Sequence, residues 1–168
     1  DVVVDGEVKK FATIKESQAA GVAIVFQELS LVKELSVAEN IFLGREPAVL
    51  GVIQWPVVYA RTAALLKDLG FKIDPSDKVG DLGIGQQQMV EIAKALALNA
   101  KILILDEPTS ALSDTEIEVF LATIRQLKAR GVGCVLITHK LNEVFAISDR
   151  ITVFRDGRSI VTYATKDI

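Results

Sequence analysis

Two adjacent acids, Asp106 and Glu107, follow four consecutive apolar residues, Ile102-Leu103-Ile104-Leu105, and precede Pro108-Thr109-Ser110. The apolar run reads as a core strand buried on both faces. Proline then blocks continuation of the sheet. Asp106 and Glu107 therefore stand at the carboxyl end of a core strand, where open α/β sheets take their ligands. Side by side there, one acid can hold a hard cation while its neighbour polarises a water. The competing reading is an acidic cap on a buried strand.

His139 is the only histidine. It follows a second apolar run that ends at Thr138. Its imidazole emerges beside Asp106 if the two strands are neighbours; otherwise it is a structural histidine. Gln27 closes a third apolar run, and its amide can both donate and accept. The segment Leu82-Gly83-Ile84-Gly85-Gln86 opens a helix. Exposed N–H groups and the helix dipole make such a start an anion site, although plain helix starts of this kind are common. Asp114 follows Ser113, where an acid stabilises the first turn of a helix whatever its other role.

The elements that must position these groups follow from local signals. Apolar runs at 22–26, 101–105 and 134–138 read as strands. Thr13 with Glu16, Ser36 with Glu39, and Ser113 with Glu116 all have capping-box spacing. Pro56 opens a helix that stops at Gly70. Residues 86–98 read as a helix with Met89, Ile92, Ala93 and Leu96 on one face. A third helix buries Ile117, Phe120, Leu121, Ile124 and Leu127 and ends at Gly131. Val2 to Val4 and Val8 to Phe11 flank Asp5-Gly6, and the strands at 150–155 and 158–163 flank Asp156-Gly157; both read as hairpins. Buried strands joined by amphipathic helices predict an α/β fold with a mostly parallel sheet. The polar stretch 71–81 is the candidate hinge.

Composition narrows the function classes. The chain has 168 residues, half of them apolar, with a formal charge of −3. No Lys/Arg block and an acidic balance argue against nucleic acid. No apolar run is long enough to span a bilayer, and no signal-peptide pattern opens the chain. The single cysteine, Cys134, forms no internal disulfide and reads as an inert core thiol.

The motifs occur in the order found in ATP-binding-cassette (ABC) ATPases, which the chain resembles over nearly its whole length. They run Gln27, Leu82-Gly83-Ile84-Gly85-Gln86-Gln87-Gln88, Asp106-Glu107-Pro108-Thr109-Ser110, Ser110-Ala111-Leu112-Ser113-Asp114, and Thr138-His139. Details around them resemble bacterial carbohydrate importers of the xylose and ribose type. The resemblance implies a P-loop NTPase-like sheet core, residues 1–35 and 99–168, with an inserted helical subdomain at about 36–98. It implies ATP and Mg²⁺ as ligands. Asp106 and Gln27 would serve the metal, Glu107 the attacking water and His139 the γ-phosphate. Residues 82–86 and Asp114 would face the nucleotide and interface of a second ABC domain. Implied partners are transmembrane permease subunits, reached through residues 28–43, and indirectly a periplasmic sugar-binding protein. The implied location is the cytoplasmic face of the bacterial inner membrane.

Two departures stand out. The loop G-x-x-x-x-G-K-[ST] precedes the glutamine in this family, and nothing before Gln27 fits it. The expectation is a fragment that begins after that loop. Gly83 replaces the usual serine, which removes one hydroxyl. A non-hydrolysing regulatory or structural partner domain, and a soluble ABC ATPase outside transport, are the alternative readings.

Overall fold

The computed structural model describes residues 2–4 and 6–168. Strands β1 (Val2–Val4) and β2 (Glu7–Lys9) form an antiparallel hairpin. Gly6 lies in its turn with φ +81°; Asp5 is outside the described residues. Helix α1 (Ile14–Ala19) starts on the Thr13 cap, and Gly21, at φ +84°, turns the chain into β3 (Val22–Val25).

Helix α2 (Val37–Phe42) begins with a complete capping box, in which Glu39 N–H donates to the Ser36 hydroxyl and Ser36 N–H to the Glu39 carboxylate. Hydrogen bonding from the Ser36 hydroxyl, and then from its N–H, holds the Glu39 carboxyl below the ordinary glutamate range. A depressed folded-state pKa stabilises above the unfolded pKa and is lost as pH falls through the folded one. Ser36→Ala is therefore expected to cost about 1 kcal/mol at neutral pH. The deficit should narrow as glutamates protonate, which urea unfolding at the two pH values checks.

A short hairpin, β4 (Ala48–Val49) and β5 (Val52–Ile53), leads to α3 (Trp55–Leu69), which Gly70 ends in the left-handed conformation. The 71–81 stretch differs from the hinge expected of it. Val37 and Ala38 N–H donate to the carbonyls of Asp77 and Pro75, and Val79 and Gly80 N–H donate to those of Leu35 and Lys33. Four backbone bonds thus strap it to the start of α2.

Helix α4 (Ile84–Leu96) starts two residues before the expected position, because Gly83, not Gln86, is its N-cap. Next come β6 (Ile102–Asp106), α5 (Asp114–Ala129) and β7 (Gly133–Ile137). Helix α6 (Leu141–Ile147) and the hairpin β8 (Arg150–Arg155) and β9 (Arg158–Ala164) complete the chain. Among the described residues no helix is long and apolar enough to cross a membrane.

The central sheet is parallel, in the order β3-β6-β7. Its core unites Val25, Leu103 and Leu105 with Ile41 and Leu66 of the 36–98 region, with Ile92 of α4, and with Phe120 and Leu127 of α5. One expectation is corrected: β6 is not buried on both faces. Leu103 and Leu105 are fully buried, but Ile102 and Ile104 are only half-buried. On the neighbouring strands Ile24 is 46 % exposed, and Val135 and Ile137 are each 49 % exposed. Helices α4 and α5 cover one face of the sheet, and apolar residues on the other face are left open. Four apolar residues in a row fit either arrangement, so periodicity could not separate them.

Candidate active site

The parallel register sets Leu105 opposite Val25 on one side and opposite Leu136 on the other, with Asp106 opposite Ile137. Asp106, Glu107, His139 and Gln27 therefore leave the sheet along one edge. Asp106 is the last residue of β6 and half-buried, with no side-chain hydrogen bond among the described residues. Gln27 is exposed, two residues beyond the end of β3.

Glu107 carries the clearest mark of a specialised position. Its φ is +43°, the left-handed region that a residue with a side chain seldom adopts. Such a conformation costs about 1–3 kcal/mol and persists only where its surroundings impose it. Here Glu107 N–H donates to Ile137 O at 2.9 Å, and Ser110 N–H donates to Glu107 O at 3.2 Å. The turn aims the Glu107 carboxylate at the next strand. Its Oε1 lies 3.1 Å from His139 Nδ1. The Glu107 side chain is 31 % exposed and that of His139 72 %. The carboxylate is thus shielded on one side, and the imidazole stands open to a ligand.

Asp114 is the first residue of α5, and it shares an open hollow with His139, Lys140 and Asn142. The glycine segment meets the first turn of α5 through Glu116. Leu82 is half-buried, and Gly83, Ile84 and Gln86 are exposed. Gly83 N–H donates to Gln86 Oε1 at 3.2 Å, and Gly85 N–H to Glu116 Oε1 at 3.1 Å. Two of the amides expected to face an anion are therefore already satisfied within the chain. Glu116 also accepts from the Ser113 N–H and hydroxyl, which hold its carboxyl below the usual range. A Cβ at position 85 would collide with this carboxylate, so glycine there permits the close approach of α4 and α5. No hydrogen bond ties residues 82–86 to the Glu107–His139 pair among the described residues.

The segment after Gln27 is anchored on two sides. Buried Asn40 accepts from Val32 N–H at 2.7 Å and donates to Val32 O at 2.9 Å. Buried Glu91 of α4 accepts from the Ser30 hydroxyl at 2.8 Å and from its N–H. Sequence reading missed Glu91 and the contact of Glu116 with Gly85, since neither contact has a local signal. Cys134 is half-buried in β7, and burial pushes its thiol up, as an unreactive cysteine requires.

Residues 2–110 match the family model described as ABC transporter. The chain belongs to that family. It is 56 % identical over 162 residues to the xylose import ATP-binding protein XylG of Moorella thermoacetica, covering 96 % of this chain and 32 % of the relative. It is 48 % identical over 166 residues to the L-arabinose transport ATP-binding protein AraG of Geobacillus stearothermophilus, covering 99 % and 32 %. The chain thus spans about a third of the length of these curated relatives. Among solved structures it resembles the ATP-binding cassette MJ0796, determined as a dimer in a post-hydrolysis state bound to ADP and Pi. The TM-score is 0.76 at 26 % identity, covering 97 % of this chain and 72 % of that one. The fold class expected from sequence is the one these neighbours have.

Proposed function

We propose that these residues form the hydrolytic part of an ATP-driven sugar importer. The observation that carries this reading is the Glu107–His139 contact at the carboxyl edge of the parallel sheet, with Asp106 beside it. Phosphoryl transfer needs little covalent help from protein; it needs positioning and charge stabilisation. Glu107 orients and deprotonates the attacking water. His139, open to solvent and braced by Glu107, donates to the terminal phosphate and fixes that water.

The donor set suits Mg²⁺, which takes one or two carboxylates and keeps several waters. Asp106 offers a carboxylate free of protein hydrogen bonds among the described residues, and exposed Gln27 offers an amide for a bound water. Bound there, Mg²⁺ would neutralise charge on the phosphate oxygens. We place residues 82–86 and Asp114 at the contact with a second ABC domain. Packing of α2, α3 and α4 on one another supports 36–98 as the helical unit.

The two relatives described above are a xylose import and an L-arabinose transport protein, both for pentoses, and they support a pentose importer. The partners proposed are permease subunits at the inner membrane, engaged through residues 28–43, and through them a sugar-binding protein. The bonds of Ser30 to Glu91 and Lys94 supply a mechanical link from this segment to α4. Gly83 favours the second reading, a partner domain that does not hydrolyse, because it lacks the serine hydroxyl.

A binding titration and a hydrolysis assay test the proposal, and the second separates the two readings. The 168 residues contain no G-x-x-x-x-G-K-[ST] loop, so its amide cradle and lysine charge are not among them. Calorimetry with ATP and Mg²⁺ should give no micromolar binding to this chain. The intact gene product, assembled with its permease, should hydrolyse ATP when sugar-loaded binding protein is added. ATP bound there without turnover would establish the non-hydrolysing reading.

A further inference from the structure

Glu143 is one of two buried acids among the described residues, and none of the roles above uses it. The Thr109 hydroxyl, itself only 1 % exposed, lies 2.7 and 2.8 Å from its two carboxylate oxygens. Lys140 closes the group. Its Nζ donates to Thr109 O at 2.8 Å and lies 3.4 Å from Glu143 Oε1. A buried carboxylate is tolerated when paired and hydrogen-bonded, and this one has both partners.

The position of this group gives it a consequence beyond packing. Thr109 follows Glu107 by two residues, and Lys140 follows His139 directly. Little else holds His139. It lies outside the regular elements and is largely exposed. Helix α6 spans only seven residues, and its N-cap, Lys140, makes no side-chain capping bond. So short a helix does not hold its own position in water. Arg125 of α5 donates to Ala146 O at 3.2 Å near the end of α6, but at its start, beside the imidazole, the side-chain bonds run to the turn that carries the water-orienting acid.

We infer that Thr109, Lys140 and Glu143 form a latch that positions His139 against Glu107 for hydrolysis. These are positioning residues, and the inference rests on the hydrolytic reading proposed above. Groups held in reacting geometry lose about 10²-fold in rate when displaced by about 1 Å. Loss of the latch should therefore depress turnover and spare ATP binding, because Thr109 and Glu143 are buried and the Lys140 ammonium is turned onto them.

The test measures kcat and the KM for ATP in the intact gene product with its permease. Thr109→Val keeps the shape and removes the hydroxyl; Thr109→Ser restores it. Thr109→Val is expected to lower kcat about 10–100-fold with KM changed less than about twofold, and Thr109→Ser to recover most of the rate. Lys140→Met, which removes the second tether, gives the same split and serves if the valine variant fails to fold. Wild-type kcat in both variants would overturn the latch. So would parallel loss of kcat, ATP affinity and melting temperature without rescue by serine. Glu107→Gln is run alongside. Full turnover by that variant removes the hydrolytic reading itself, whereas an inactive Glu107→Gln beside a fully active Thr109→Val removes only the latch.

Discussion

Glu107→Gln, made in the intact gene product, is expected to bind ATP and fail to turn it over. The amide matches the carboxylate in shape and keeps a hydrogen bond to His139. It cannot accept a proton from water. General-base assistance contributes about 10²–10⁴-fold to a rate, and the loss should fall in that range. Binding should be preserved or tightened, since a negative charge is removed from beside a polyphosphate. Filter trapping of labelled ATP after a single turnover reads both effects. Rapid release of ADP and phosphate by the variant would take Glu107 out of the reaction.

His139→Ala is expected to give the second large loss, again about 10²-fold or more in kcat. The imidazole is a partner for Glu107 at 3.1 Å, and in the proposed reading it also donates to the terminal phosphate. Alanine removes both and leaves the Glu107 carboxylate without its brace. The side chain is mostly exposed, so the substitution should leave folding nearly unchanged. Circular dichroism and thermal melting check that point while steady-state kinetics reads the loss. A variant that folds normally and keeps its rate would make His139 a bystander on the sheet edge.

Local chemistry was legible where its cause is local. Ser36 with Glu39 and Ser113 with Glu116 announce their helices because a capping box closes within four residues. The order of the site groups along the chain was legible too, since each apolar run hands its last residues to one edge. What sequence hides is contact between distant elements. The second role of Glu116, accepting from Gly85, needs α5 laid against α4. Nothing local marks Glu143 for burial, and only the fold sets it against Thr109. The unusual backbone of Glu107 has no sequence signature, since the proline that follows it favours an extended conformation instead.

The central claim is that Glu107 and His139 act as one unit on one terminal phosphate. Single-turnover hydrolysis by Glu107→Gln, His139→Ala and the double variant tests it most directly. Groups that work as a unit are strongly non-additive, so the double variant should be no slower than the worse single one. Losses that multiply, so that the two effects sum in free energy, would mean that the two side chains act independently and would contradict this account.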